Sequence, residues 1–222
     1  MPRDSAHDID PDQLLKAYTL GYFPMGRRRD DPKTVWVLPQ NRGVLRLENA
    51  RIPRKLRRLI ARAPFEVRVD TAFHDVIRAC AAPAPGREET WINEPIEEVY
   101  CALARRGFAH SVECYADGAL VGGLYGVVLG AVFFGESMFS RRDNASKVAM
   151  AHLIARLKIG GFRMIDAQFH TEHLAQFGFE ETPNAAYQRL LAECLAARGD
   201  FYRAGSSLLS AATVSQSITQ TS

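Results

Sequence analysis

The sequence predicts an α/β (α+β) chain, with a mixed, largely antiparallel sheet behind a small N-terminal domain. Three observations carry this. Between residues 110 and 139, three apolar runs are separated by Asp117-Gly118, a type I′ hairpin signal, and by Leu129-Gly130. Beyond residue 144 a helix-period run, a Gly160-Gly161 stop, an apolar strand over 162–169 and two more helix-period runs follow in order. The chain has 222 residues and 47% are hydrophobic, enough to build a sizeable core.

Taken in order, Asp10-Pro11 reads as an N-cap with proline at the first helical position, and Leu14, Leu15 and Tyr18 give that helix an apolar face. Gly21 ends it, and Tyr22-Phe23-Pro24-Met25-Gly26 forms an aromatic turn before Arg27-Arg28-Arg29. Thr34 to Leu38 is a short strand around Trp36. Residues 51–62 form a second helix, with Ile52, Leu56, Leu59 and Ile60 at helical spacing. Further helices cover about 71–80 and 94–106, separated by a loop with Pro83, Pro85 and Gly86 that leads to Trp91. The meander of 110–139 follows, then a helix capped by Asn144 and running to Ile159, the strand over 162–169, and helices near 171–177 and 184–198. The expected division is a small N-terminal domain over 1–48, a main domain over 49–203 and a disordered, charge-free Ser/Thr-rich tail over 204–222. Hairpin strands, helix, strand, helix is the order of an acetyltransferase-like sheet.

Composition excludes several classes. Charged residues make up 24% and the net charge is +3, an ordinary soluble balance. The N-terminus has no apolar signal region, and no apolar run approaches the roughly 20 residues of a membrane span, so no membrane partner is expected. Cys80, Cys101, Cys114 and Cys194 form no C-x-x-C pair, which predicts reduced thiols in a cytoplasmic protein. His170 and His173 flank Glu172, but a metal site needs further ligands, and none is expected.

Glu136 follows Phe133-Phe134-Gly135, a carboxylate carried into the end of an apolar strand. Asp166 and Gln168 stand two apart in Ile165-Asp166-Ala167-Gln168-Phe169, a spacing that puts both on one strand face. A strand between two helices is expected to be central, and a buried aspartate there must be paired or hydrogen-bonded. The helix over 51–62 bears Arg51, Arg54, Lys55, Arg57, Arg58 and Arg62, more positive charge than solubility requires, and a phosphate backbone is its natural partner. Trp91 suits a stacking platform for a base, or a place in the core. Gly122, Gly123 and Gly126 do not open a helix and fit a close approach to the strand instead.

The motif GESMFS-x-x-x-NASK, a following helix, Gly160-Gly161 and I-D-x-Q-x-x-x-x-H-L resemble the leucyl/phenylalanyl-tRNA–protein transferase family. AYTLGYFPM, W-x-x-P-x-x-R-G-V from Trp36 to Val44, Thr90-Trp91-Ile92 and His110 to Glu113 match its other blocks, so the likeness runs from about residue 10 to 198. The resemblance implies a small N-terminal domain beside a GNAT-like acyltransferase domain. It implies an aminoacyltransferase of the N-end rule, which moves Leu or Phe, less often Met, from aminoacyl-tRNA to the N-terminal amine of proteins beginning with Arg or Lys. The added residue marks the protein for degradation. No cofactor is implied, and a monomer is the expected state.

By the same resemblance, Asp166 and Gln168 are the catalytic pair and Glu136 orders the site. An aminoacyl ester is already activated, so no nucleophilic side chain is required; the amine must be neutral and in line with the carbonyl. Gln168 is no base, but its carbonyl oxygen can align the amine, and Asp166 can stabilise the developing ammonium. Trp91, Met25 and Tyr18 fall where the family holds the terminal adenosine. Phe133, Met138, Leu124, Leu153 and Ile165 fall near its apolar aminoacyl pocket. Arg54, Lys55, Arg57, Arg58 and Arg62 are expected to meet tRNA phosphates. Met25 departs from the pattern, because many relatives carry Trp there, and stacking should fall mainly on Trp91. Two other readings are an acyl-CoA-dependent N-acyltransferase, disfavoured by the missing Q/R-x-x-G-x-G/A loop, and a non-catalytic tRNA-binding module.

Overall fold

The computed structural model describes residues 9–84, 88–205 and 209–219. Helix α1 (Pro11–Thr19) is capped as the sequence predicts: the Asp10 carboxylate accepts from the backbone N–H groups of Asp12 and Gln13. The aromatic turn is itself a strand, β1 (Phe23–Gly26), and pairs antiparallel with β2 (Thr34–Val37) in a two-stranded sheet.

The remaining elements build one larger sheet. They are β3 (Asn41–Arg46), helix α2 (Arg54–Ile60), β4 (Glu66–Val69), helices α3 (Phe73–Ala81) and α4 (Glu94–Arg105), and the meander β5 (Ala109–Ala116), β6 (Ala119–Leu129) and β7 (Val132–Ser140). Helix α5 (Ala145–Ile159), β8 (Met164–Asp166), α6 (Glu172–Ala175), β9 (Glu180–Pro183), α7 (Asn184–Leu195) and α8 (Ala211–Thr219) complete the chain. Seven strands pair in the order β4-β5-β6-β7-β8-β3-β9, all antiparallel except β7 with β8. The mixed, largely antiparallel sheet read from the sequence is therefore present. Asp117 and Gly118 both have positive φ, as a type I′ turn requires.

Several local expectations are corrected. Residues 41–46, on the N-terminal side of the boundary expected near 48, are a strand of the large sheet, between β8 and β9. The strand expected over 162–169 is shorter, Met164–Asp166. Asn144 does not cap α5 through its side chain; it is left-handed at φ 67°, and the Ser140 hydroxyl accepts from the Ser146 N–H instead. In the tail expected to be disordered, Ala211–Thr219 is helical and Val214 is buried on the core that includes α5. A charge-free segment keeps apolar residues that a neighbouring face can bury, which offsets its ordering entropy. Pro85 and Gly86 of the predicted loop lie outside the described residues.

The sheet separates two apolar clusters. One holds α5, with Leu124, Phe133, Leu153 and Ile165; the other holds α1, α3, α4 and α7, with Tyr18, Tyr100, Phe134 and Tyr187. Helix α5 is buried nearly all round, so it needs no amphipathic pattern.

Candidate active site

The site forms where β7 and β8 part. They pair in parallel only from Val132 with Met164 to Phe134 with Asp166. Beyond that pairing, β7 carries a bulge: Tyr125 of β6 faces Ser137 while Gly126 faces Gly135, so Glu136 is the extra residue. A bulge turns every later side chain to the opposite face. Phe133 and Met138 consequently join the α5 side, and Phe134 and Phe139 the other. This is why an apolar strand carries a carboxylate at this point.

Glu136 lies against three donors. Its Oε1 accepts from the Tyr18 hydroxyl at 2.7 Å and from the Gln168 side-chain amide at 3.2 Å, and its Oε2 accepts from the Tyr100 hydroxyl at 2.7 Å. The two tyrosine oxygens are 2.5 Å apart. With Glu136 ionised, two hydroxyl protons serve three oxygen–oxygen contacts, and a proton on Glu136 supplies the third. Burial pushes the Glu136 carboxyl up to about 7, against the two tyrosine hydrogen bonds. Burial likewise raises both tyrosines well above their ordinary range, so they remain donors.

Asp166 and Gln168 are not two positions of one strand face. The strand ends at Asp166, and Gln168 has φ 60° at the centre of a γ-turn closed by the Phe169 N–H to the Ala167 carbonyl. Such a backbone persists only when its surroundings hold it. The Gln168 N–H donates to Asp166 Oδ1 at 2.9 Å, and the Gly43 N–H donates to the Gln168 carbonyl at 3.2 Å. Asp166 is completely buried, and its oxygens are taken: Oδ1 also by Arg42 Nε at 2.7 Å, Oδ2 by the Tyr187 hydroxyl at 2.6 Å. The Gln168 side chain goes to Glu136, not to Asp166.

Arg42 completes this support. It is 1% exposed, donates to the Gly21 carbonyl at 2.9 Å, and lies between the rings of Phe23 and Tyr187, each 4.8 Å from its guanidinium carbon. Burial alone would lower its pKa, but Asp166 outweighs burial and raises it. Arg42, Tyr187 and Tyr100 were not among the sequence candidates. Arg42 stands within the Trp36–Val44 block, and that placement was its signal.

Beside Glu136 opens a cavity of about 410 Å³. Leu124, Phe133, Met138, Leu153 and Ile165 all line it, so the structure brings together the five residues assigned to an apolar pocket. Met150 and Leu174 close it from α5 and α6. Tyr18, Trp91 and Met25 do not line it. Tyr18 is fully buried beneath Glu136, while Trp91 and Met25 are half-buried, with the Trp91 carbonyl accepting from the Gly26 N–H at 2.9 Å.

Arg54, Lys55, Arg57, Arg58 and Arg62 all lie exposed on or beside α2. Lys55, Arg58 and Arg62 line a groove of about 480 Å³ whose other wall is Asn144, Lys147 and Gln176. Among the described residues, no carboxylate lines it. Arg54 and Arg57 are outside that lining. Among the described residues, no group of three His, Cys, Asp or Glu is placed to hold a metal, and no helix is long and apolar enough to cross a membrane. Cys80, Cys114 and Cys194 are buried, and Cys101 is half-buried.

Family models match most of the chain: leucyl/phenylalanyl-tRNA protein transferase over residues 44–192, and the N-terminal domain of the same transferase over 7–40. The leucyl/phenylalanyl-tRNA–protein transferase of Phenylobacterium zucineum (strain HLK1) is 55% identical over 204 residues, 92% of each chain. Its namesake from Rhodospirillum rubrum is 52% identical over 193 residues, 87% of this chain and 91% of that one. That of Caulobacter vibrioides (strain NA1000 / CB15N) is 53% identical over 199 residues, 90% of this chain and 91% of that one. Among solved structures, L-PGS from Bacillus licheniformis has a TM-score of 0.42 and 13% identity, covering 83% of this chain and 70% of that one. With the matched regions spanning both the Glu136–Gln168 site and the N-terminal hairpin, the chain belongs to the leucyl/phenylalanyl-tRNA protein transferase family.

Proposed function

We propose that this chain transfers Leu, Phe or, less often, Met from aminoacyl-tRNA to the N-terminal amine of proteins that begin with Arg or Lys, marking them for degradation. The observation that carries the reading is the hydrogen bond from the Gln168 amide to Glu136, a carboxylate that lines an apolar cavity of about 410 Å³.

Glu136 Oε1 accepts from the Gln168 amide nitrogen as it does from the Tyr18 hydroxyl, so the nitrogen end of that amide is the one turned to Glu136. The amide oxygen is then the end left to accept a hydrogen bond from the acceptor amine. That amine must be neutral, and an α-amino group with an ordinary pKa of about 8 is partly neutral near pH 7. Its nitrogen forms the new amide bond to the ester carbonyl carbon as the bond to the tRNA 3′-oxygen breaks. The ammonium proton passes to that leaving oxygen, directly or through the neighbouring 2′-hydroxyl.

Asp166 acts one layer behind, as a positioning residue: it holds the backbone of Gln168 and is itself neutralised by Arg42. Glu136 is likewise a positioning residue, since three donors occupy it. The cavity selects side chains by size. Apolar size selection is worth about 1–3 kcal/mol per methylene, which fits a preference shared by Leu, Phe and Met. Trp91 and Met25 are the proposed contacts of the terminal adenosine, and the groove under α2 is the proposed track for tRNA phosphates.

The test mixes the protein with Leu-, Phe- and Met-charged tRNA and peptides beginning with Arg, Lys, Asp, Glu or Ala. Mass spectrometry reading one added residue on the Arg and Lys peptides alone supports the proposal. Addition to Asp or Glu peptides keeps the chemistry and overturns the acceptor assignment, and tRNA binding without addition overturns both.

A further inference from the structure

We propose that Phe201, in the segment after α7, sets the position of Phe133 and thereby the choice between leucine-sized and phenylalanine-sized donors; this rests on the cavity being the aminoacyl pocket.

Phe133 is a wall of that cavity and is fully buried. Its ring is held from two sides. On one side lies Gly126, where an added Cβ would come within 2.6 Å of the ring's Cζ. The strand must be bare here for the ring to lie across it. On the other lies Phe201, with ring centroids 6.2 Å apart and planes at 16°.

Phe201 is anchored more firmly than a surface segment ordinarily is. Its ring stacks on His110 at 3.9 Å, and His110 is the β5 residue facing Gly126. His110 Nδ1 and the Tyr202 hydroxyl both meet Asp70 Oδ2, at 2.8 and 2.5 Å, and the Ser111 N–H donates to Asp70 Oδ1 at 2.7 Å. Arg156 of α5 donates to the carbonyls of Phe201 and Gly205 at 3.1 and 2.7 Å. A continuous stack thus runs from His110 through Phe201 to the cavity wall. Interiors are close-packed, so a missing ring at 201 lets Phe133 move into the vacated volume and deepens the cavity.

The experiment compares kcat/KM for Phe-tRNA and Leu-tRNA in the full-length chain carrying Phe201→Ala, Phe201→Tyr or Phe133→Ala. Phe201→Ala should shift the ratio toward Phe by about 5- to 10-fold, and Phe201→Tyr, which keeps the ring, should restore the parent ratio. A ratio unchanged in Phe201→Ala, whatever the fall in stability or overall rate, while Phe133→Ala moves it, overturns the inference and leaves the pocket reading standing. A ratio unchanged in both variants overturns the pocket reading as well. If Phe201→Ala fails to fold, Phe201→Leu is judged by the same criterion, since it keeps much of the volume and removes the flat face.

Discussion

Gln168 and Glu136 lie 32 positions apart and meet through one hydrogen bond, amide nitrogen to carboxylate oxygen, at 3.2 Å. Neither is placed by ordinary strand geometry: Glu136 is the extra residue of a bulge, and Gln168 is left-handed. The account predicts that both irregularities are functional.

Burial of the Glu136 carboxyl makes the stability of the fold depend on pH. A carboxyl raised from 4.5 to about 7 in the folded state keeps its proton there while the unfolded chain releases it. Its contribution therefore favours the fold at low pH and is lost as pH rises from about 4.5 to about 7. Glu136→Gln removes that dependence. Thermal melts at pH 5 and pH 8 should show the variant gaining stability on the parent at the higher pH; an equal difference at both would contradict the assignment.

Asp166 gives a separable test of support against chemistry. Asp166→Asn leaves the buried Arg42 guanidinium without its counter-charge, a loss of about 3–5 kcal/mol. Arg42→Met with Asp166→Leu replaces the pair by apolar groups and should recover much of that stability. Transfer should stay impaired in the double variant, because nothing then holds the Gln168 backbone. Full activity with the pair removed would show that Asp166 does not position the site.

Gly43 offers a backbone probe. An added Cβ there would lie 2.6 Å from the carbonyl carbon and oxygen of Phe169 and 2.7 Å from the His170 nitrogen, so the loop carrying Gln168 must move. Gly43→Ala should lower kcat by about 10²-fold, as displacement of a positioning group by an ångström does. An unchanged kcat would mean that the loop tolerates displacement.

The groove under α2 separates its cations into two groups. Lys55→Ala, Arg58→Ala and Arg62→Ala should each weaken binding of aminoacyl-tRNA and flatten the salt dependence by about one phosphate contact. Arg54→Ala and Arg57→Ala, which lie outside the groove lining, should change it less. Affinity measured between low and moderate salt decides this, and equal slopes for all five variants would dissolve the distinction.

The meander was legible because Asp117-Gly118 and Leu129-Gly130 are local signals, and the α1 cap because Asp10 acts within three residues of itself. The five apolar pocket residues came from the family resemblance, and the structure gathers them around one cavity. What was not legible depends on distant partners. The short strands β3, β4 and β9 exist because the large sheet supplies their neighbours. The left-handed Gln168 needs Asp166 and Gly43 to hold it, so alternation along 162–169 misplaced its side chain. The Glu136 bulge is a mismatch between two strands and has no expression in either strand alone. Arg42 is buried only because Asp166 and Tyr187 converge on it from far along the chain.

The central claim is that the Gln168 amide aligns the acceptor amine. Its most direct measurement is the single-turnover rate of transfer from Leu-tRNA to a peptide beginning with Arg, at saturating tRNA and peptide, in the parent and in Gln168→Ala. The account predicts a fall of about 10²-fold or more in that rate, with tRNA affinity kept. A rate within twofold of the parent would contradict it.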